Sequence, residues 1–313
     1  MAVPVRRRIV VPRLLYPNLA WEAVLLLVLI VVALAARAAQ PRVFDGSVVW
    51  AQWASVGLLG TAVALSLRMA TPNLAVSAFA AAGATWFVER VDDGSSVAVA
   101  GIVTVLLCLL LGLVLGAFVG LTGVPAWAAS LGGYALLQAL LLAQHGTIAL
   151  PTGGLTSGDV TAWFLLFVLV SVIGAVALAV PTVGRRFALP GAAPASGGLT
   201  GALVGLGGSS AVAGLAGVLI ARRAASAQPV AAVDLLLIAL GVALLGGVSA
   251  YGLRGGVFGV VLASGIVAVI MVWNALAARP AWTLYVLAGV TILVGLLAGW
   301  AMTRFGRRWV VVT

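Results

Sequence analysis

The sequence of 313 residues contains no lysine, one cysteine and one histidine. A Walker A loop needs a lysine that reaches the β- and γ-phosphates, so this chain is not itself a P-loop ATPase. Cys108 has no partner for a disulfide within the chain, and His145 has no second histidine with which to hold a metal ion. We therefore expect no catalytic residues, no metal site and no bound cofactor.

Charged residues are also scarce, at 8% of the chain, whereas 64% of the residues are hydrophobic. A soluble domain of this length leaves too large an exterior for so apolar a chain, so most of its surface must face lipid. The apolar runs are roughly 20 residues long, which is the length of one transmembrane helix. Strand-like alternation is absent. The sequence therefore predicts an all-α polytopic transmembrane bundle in which residues 1–313 form a single domain.

Charge, proline and glycine divide the apolar runs into about ten predicted spans. The spans lie near residues 21–36, 48–67, 74–88, 97–119, 124–143, 160–181, 198–220, 232–250, 256–277 and 281–302. Two runs are less regular, because Thr71-Pro72-Asn73 precedes the short run 74–88 and the run 124–143 contains Pro125 and Gly132-Gly133. Such interruptions are typical of half-helices that line a pathway. We expect interrupted helices at both places.

The basic residues, all 17 of them arginine, predict the orientation. Ten spans with the amino terminus inside place eleven arginines in the cytoplasm: Arg6, Arg7, Arg8, Arg13, Arg68, Arg185, Arg186, Arg254, Arg304, Arg307 and Arg308. Six lie outside: Arg37, Arg42, Arg90, Arg222, Arg223 and Arg279. This bias favours cytoplasmic tails at 1–20 and 303–313, with both termini inside. Arginines scattered between apolar runs are topology signals and do not indicate nucleic-acid binding.

Glycines recur at every fourth residue in two of the predicted spans. One set is Gly112, Gly116 and Gly120, and the other is Gly197, Gly201 and Gly205. Small residues at this spacing let helices approach closely in lipid. We expect them to pack helices within one bundle.

An ordered series of short motifs occupies about 100 residues of the second half. A small-residue helix from Ser209 to Arg223 precedes Ser226-Ala227-Gln228-Pro229 and Val233-Asp234-Leu235. Two glycine motifs follow, Leu245-Gly246-Gly247-Val248-Ser249 and Gly252-Leu253-Arg254-Gly255-Gly256-Val257-Phe258-Gly259. In this order the motifs resemble the permease subunits of ribose-type ABC importers, in the branched-chain amino acid/ribose permease superfamily.

The first half resembles the same family more loosely. Pro72-Asn73-Leu74-Ala75-Val76-Ser77 is similar to the family's Ile-Asp-Leu-Ser-Val-Gly segment, with Asn73 near the position of the acid. The stretch from Val124 to Gly132 is similar to its Pro-Pro-Phe-Ile-Ala-Thr-Leu-Gly segment. Asn274 falls where the family has a paired asparagine before a short outer loop.

The resemblance implies a bacterial plasma-membrane subunit that forms the pathway for a small solute, with a sugar as the first candidate. It also implies a separate ABC ATPase, a second permease copy or paralogue, and an extracytoplasmic solute-binding protein. The candidate pathway residues are Asn73, Ser77, Trp127, Ser130 and Asn274. Hydrogen bonding between helices or anchoring at the interface explains these side chains equally well. The family's glycine signature corresponds to Gly246, Gly247, Ser249, Gly255, Gly256 and Gly259.

The resemblance also implies a cytoplasmic coupling loop at residues 182–197, which would contact the ATPase. The candidate contacts are Gly184, Arg185, Arg186, Phe187 and Gly191; for the arginines and Phe187, a plain positive-inside anchor is the alternative. The family's acidic and Ala-Ala-Arg portion is missing here, and Pro190 and Pro194 would break short docking helices. Either the ATPase docks differently, or a paralogous permease carries the intact segment.

Other functions remain open at this point. A branched-chain amino acid permease is the near alternative, although the Ala-Gln-Pro loop and the Gly-Leu-Arg-Gly-Gly motif favour the sugar branch. A stand-alone secondary carrier or exporter is a second alternative. It has little support because Asp234, its best acid, begins a span instead of occupying the middle of one. A degenerate permease that no longer transports is the third.

Overall fold

A computed structural model describes residues 15–151, 157–179, 198–224, 226–250, 255 and 258–308 of the chain. The described residues form ten helices. These are α1 (Leu15–Ala39), α2 (Val48–Arg68), α3 (Val76–Asp92), α4 (Val97–Thr122), α5 (Ala126–His145), α6 (Ser157–Ala179), α7 (Gly198–Ala224), α8 (Val233–Leu245), α9 (Gly259–Leu276) and α10 (Trp282–Arg308). A short 3-10 helix, Pro41–Phe44, lies between α1 and α2. The predicted coupling loop lies outside the described residues.

Seven of these helices contain a segment long and apolar enough to cross a membrane. The segments are Asn18–Ala39, Val48–Arg68, Val97–Thr122, Ala126–His145, Gly198–Ala224, Gly259–Leu276 and Trp282–Arg304. The apolar parts of α6 and α8 are shorter, at Val160–Gly174 and Val233–Leu245. The helix α3 has 17 residues. The chain is thus a helical, multi-pass membrane protein, as predicted, while the count of ten spans stays a prediction.

The helices divide into a buried centre and an apolar periphery. The central helices α2, α3 and α7 pack on one another, and together with α8 and α9 they supply most of the core. The outer helices α1, α4, α5 and α10 expose large apolar side chains, such as Leu121 and Leu136, which are each 75% exposed. Exposed apolar area on this scale requires lipid around it.

Close contacts between small residues bring α4 against α7. A Cβ atom on Gly116 would lie 2.7 Å from the carbonyl oxygen of Ala202, and one on Gly112 would lie 2.6 Å from the Cβ of Ser210. The prediction that glycines at this spacing pack helices within the bundle is confirmed at Gly112 and Gly116, whereas Gly197 lies outside the described residues. At this contact α7 widens into a π-helical turn, Leu203–Gly207, which the sequence pattern did not reveal.

The helix α5 is continuous, so the predicted interruption within residues 124–143 is wrong. Pro125 is the residue before the first turn, where a missing N–H disrupts nothing. Gly132 and Gly133 lie inside the helix. A glycine inside a helix costs only about 1 kcal/mol relative to alanine, which a long helix tolerates.

The two ends of the bundle are named here by an arginine at each. The Arg42 end contains the 3-10 helix, the carboxyl termini of α1 and α9, and a two-residue antiparallel pairing of β1 (Leu150–Pro151) with β2 (Ser226–Ala227). The Arg68 end contains the junction from α2 to α3 and the junction from α8 to α9.

Candidate functional site

The chain between α2 and α3, residues 69–75, leaves the helical conformation inside the bundle. Met69, Thr71, Asn73 and Ala75 are each 2% exposed or less. Ala70 has a φ of +56°, in the left-handed region that non-glycine residues rarely adopt. Lipid offers no hydrogen bonds, so protein groups must satisfy the backbone of such a segment. The predicted interruption before α3 is confirmed.

The side chain of Asn73 meets this requirement at the centre of the junction. Its Nδ2 donates to the hydroxyls of Ser209 (2.8 Å) and Ser210 (3.2 Å), both close to the middle of α7. Its Oδ1 accepts from the backbone N–H of Ala75 at 2.9 Å. Asn73 thereby ties the junction to the central helix, and its own hydrogen-bonding capacity is used within the protein.

Two further serines complete the junction. The hydroxyl of Ser66 accepts from the N–H of Asn73 at 3.1 Å and donates to the carbonyl of Val63. The hydroxyl of Ser130, near the start of α5, accepts from the N–H of Leu74 at 3.0 Å and lies 3.2 Å from the carbonyl oxygen of Pro72. We call Ser66, Asn73, Ser130, Ser209 and Ser210 the Asn73 cluster.

Ser77 is the second residue of α3 and differs from the cluster. Its side chain is 2% exposed, and its hydroxyl has no hydrogen-bond partner among the described residues. A buried hydroxyl without a partner costs roughly 1–3 kcal/mol. Of the five predicted pathway residues, Ser77 is therefore the one that carries an unused polar group inside the bundle.

The other predicted pathway residues lie elsewhere. Trp127 is on the outer face of α5 and is 54% exposed. Asn274 is near the carboxyl end of α9, at the Arg42 end, where it lines a cavity. The structure thus brings Asn73, Ser77 and Ser130 to one region and places Trp127 and Asn274 outside it.

The junction from α8 to α9 is the second break in the bundle. The indole Nε1 of Trp21 donates to the carbonyl of Leu245, the last residue of α8, at 2.7 Å. The Oε1 of Glu22 accepts from the N–H groups of Phe258 (2.9 Å) and Gly259 (3.2 Å), where α9 begins. A carboxylate at a helix amino terminus is stabilised by the helix dipole. Two neighbouring residues of α1 therefore satisfy free backbone hydrogen-bonding groups at both ends of this junction.

The glycines of the predicted signature give this junction its close fit. Gly259 packs directly on the carbonyl oxygen of Gly246, and a Cβ on Gly246 would lie 2.8 Å from the nitrogen of Val260. Gly247 has a φ of +82°, which favours glycine. Ser249 follows the turn and is half-buried. Gly256 lies outside the described residues.

One arginine connects the two junctions. The Nη1 of Arg68, the last residue of α2, donates to the carbonyl of Gly255 at 3.3 Å. The Asn73 cluster and the Glu22 contacts therefore belong to one connected region of the bundle, which is our candidate functional site. Sequence reasoning missed Trp21, Glu22 and Arg68. Only their position in apolar surroundings marked Glu22 and Arg68 as unusual.

The Gln-Pro loop between α7 and α8 is held by α5. The side-chain amide of Gln138 donates to the carbonyl of Pro229 (3.1 Å) and accepts from the N–H of Ala231 (2.6 Å). The hydroxyl of Tyr134 donates to the carbonyl of Ala231 at 3.1 Å. The Gln-Pro motif therefore connects α5 to the loop between α7 and α8 at the Arg42 end.

The predicted ATPase contacts, Gly184, Arg185, Arg186, Phe187 and Gly191, lie outside the described residues. Comparison of the chain with protein-family models, with curated proteins and with solved structures finds no match.

Proposed function

We propose that this protein is the permease subunit of an ATP-driven ABC importer of the ribose type, and that it forms the pathway for a small solute, with a sugar as the solute class. The observation that carries the proposal is the buried junction from α2 to α3, which Arg68 connects through Gly255 to the junction from α8 to α9. Discontinuous helices packed inside a membrane bundle are typical of solute pathways. The glycine motifs of the resemblance fall on the second of these junctions, which adds support.

In this proposal the subunit performs no covalent chemistry. A separate ATPase binds at the cytoplasmic side and drives the bundle between two packings. The glycine contacts of α4 with α7 allow helices to slide without side chains in the way. Ser77 then offers a hydrogen bond to a passing solute, while the Asn73 cluster keeps the junction intact.

The proposed topology has ten spans in a bacterial plasma membrane, with both termini and the Arg68 end in the cytoplasm. An even number of crossings returns the chain to the side where it began. The excess of arginines on that side supports this orientation. The coupling loop at 182–197 would then face the ATPase, and the Arg42 end would face a solute-binding protein. A second copy or a paralogue completes the pathway.

A stand-alone carrier driven by an ion gradient is the second candidate, and the buried Glu22 favours it. Glu22 is 7% exposed. Acidic residues are otherwise almost absent from the described parts of the predicted spans. Acids in such positions often serve as proton or cation sites. Its two bonds to the start of α9 give it a structural explanation as well.

Purification of the tagged chain from its native membrane tests the proposal directly. We expect an ABC ATPase and a second permease chain to co-purify. Deletion of the coding sequence should abolish binding-protein-dependent uptake of at least one solute in a panel of pentoses, hexoses and branched-chain amino acids.

Two outcomes would contradict the importer. Purified protein in vesicles that accumulates solute under an imposed proton or sodium gradient, without ATP, would establish the carrier. Unchanged uptake of every solute in the deletion strain, with no ATPase bound, would favour a permease-like protein that no longer transports.

A further inference from the structure

A cavity of about 290 Å³ opens at the Arg42 end, away from both helix junctions. Arg42 of the 3-10 helix, Arg223 of α7 and Arg279 after α9 all line it, together with Gln52 and Asn274. Four separate parts of the chain thus contribute polar groups to one space. Its volume is close to the lower limit of ordinary small-molecule sites.

The hydrogen-bond donors of this cavity are largely unused. None of the three guanidinium groups forms an ion pair or a hydrogen bond within the described part of the chain. The Nε of Arg223 is buried and has no partner there. Gln52 donates only to the sulfur of Met271, at 3.4 Å, and sulfur is a weak acceptor. The site therefore offers many donors and lacks acceptors to match them.

Electrostatics indicates the sign of the missing ligand. No acidic residue lines the cavity, so three positive charges share it without a counter-charge from the described chain. Burying an unpaired guanidinium nitrogen is costly unless an anion compensates it. Planar guanidinium groups bind phosphate and carboxylate oxygens through paired hydrogen bonds. Three of them exceed the charge of a single carboxylate and suit a phosphate group.

The rest of the cavity wall is mostly apolar, and two tryptophans are next to lining residues in the sequence. Val48, Leu276 and Leu284 line it beside the arginines. Arg279 lies over the ring of Trp273, with its guanidinium carbon 5.8 Å from the ring centre. Trp282 is 63% exposed at the start of α10. Tryptophan concentrates at the level of lipid head groups, so the cavity opens where such groups lie.

We propose that this cavity binds a phosphate-bearing anion, held by Arg42, Arg223 and Arg279 with Asn274 as an additional donor. The phosphate belongs either to an anionic lipid head group or to a soluble phosphate compound. Basic pockets between membrane helices bind lipid phosphates in the same way. This inference does not depend on the proposed transport function, because it rests on the cavity and on the charges and unused donors that line it.

Two probes distinguish the sources. The first is phosphatidylglycerol, titrated into phosphatidylcholine nanodiscs that contain the protein, with bound lipid counted by native mass spectrometry. The second is inorganic phosphate, measured by calorimetry on delipidated protein. Retention of one phosphatidylglycerol identifies a lipid site, and saturable binding of phosphate without lipid retention identifies a soluble ligand. Either result supports the proposal, and the absence of both overturns it.

Matched variants test the location. Arg279→Gln and Arg42→Gln alter exposed residues, so the fold should persist, and each should weaken binding about tenfold or more because a charge-assisted hydrogen bond is lost. Arg37→Gln removes an equal charge from the exposed end of α1, outside the cavity, and should leave binding unchanged. Equal weakening by Arg37→Gln and Arg279→Gln would show general charge attraction and overturn the proposed site.

Discussion

The two helix junctions of this bundle meet the same physical requirement with different chemistry. Between α2 and α3, neutral groups of the Asn73 cluster form the hydrogen bonds, and several of these groups are close in sequence. Between α8 and α9, the buried carboxylate of Glu22 and the indole of Trp21 form the hydrogen bonds. Trp21 is 224 residues away from the carbonyl that it contacts. Hydrogen bonds to an ionised group are roughly twice as strong as neutral ones. The second junction therefore depends on two neighbouring side chains of α1, whereas the first distributes its hydrogen bonds over the five residues of the Asn73 cluster.

The largest expected effect follows from removing the carboxylate of Glu22. Glu22→Ala leaves the N–H group of Gly259 buried without its partner and removes the acceptor of the part-buried N–H of Phe258, so it should lower the free energy of unfolding by about 3 kcal/mol. Thermal unfolding in detergent measures the change. Asp45→Asn, an exposed acid at the Arg42 end, is the control and should have no effect. An unchanged unfolding temperature for Glu22→Ala would show that the carboxylate does not hold this junction.

A methyl group added at the contact between Gly246 and Gly259 should disrupt the same junction by steric clash. Gly259→Ala places a Cβ against the carbonyl oxygen of Gly246, which should destabilise the protein by about 2 kcal/mol. Gly132→Ala is the matched control, because nothing lies within 4 Å of a Cβ at that position. We expect Gly132→Ala to be neutral or slightly stabilising, by its helix propensity. Equal unfolding temperatures for the two variants would contradict the close contact.

The first junction should respond more mildly than the second junction does to Glu22→Ala. Asn73→Ala removes the bonds to Ser209, Ser210 and the N–H of Ala75, at an expected cost of about 2 kcal/mol. Ser77→Ala instead removes a buried hydroxyl without a described partner, and should leave stability unchanged or raise it. The proposed pathway adds a second readout, since Ser77→Ala should reduce uptake without destabilising the protein. Destabilisation by Ser77→Ala equal to that of Asn73→Ala would show that this hydroxyl is hydrogen-bonded.

The smallest effect concerns the backbone of the first junction. Ala70→Gly should stabilise the protein by up to about 1 kcal/mol, because the left-handed conformation at φ +56° penalises alanine and not glycine. Ala81→Gly, inside α3, should destabilise it by about 1 kcal/mol. Both changes appear as shifts in the unfolding temperature. A loss of stability in Ala70→Gly would show that this residue does not hold the left-handed conformation.

Local patterns predicted the break before α3 and failed at α5. Thr71-Pro72-Asn73 combines a proline with residues that bond to nearby backbone, and these features disrupt a helix wherever they occur. Pro125 and Gly132-Gly133 look similar in the sequence. The proline, however, falls just before the first turn, and the glycines are carried by a continuous helix. Where a proline lies relative to the helix start decides its effect, and span boundaries read from a sequence are too coarse to show it.

The candidate site was predictable only in part, for the same reason. Asn73, Ser77 and Ser130 were expected near a broken helix, and the structure places them there. In the sequence, Glu22 and Arg68 look like ordinary charged residues near the ends of predicted spans. Their partners, Phe258, Gly259 and Gly255, are distant in sequence. No pattern in one sequence pairs residues that far apart.

Composition and the length of the apolar runs were enough to determine that this chain is a helical, multi-pass membrane protein. Transfer from water to lipid depends on each segment's own side chains, so that conclusion needs no knowledge of packing. Only the tertiary structure decided which polar side chains close the two junctions and which remain unused at the Arg42 end. A hydrogen bond inside a membrane requires a partner within about 3 Å, and the folded arrangement of distant helices supplies that distance.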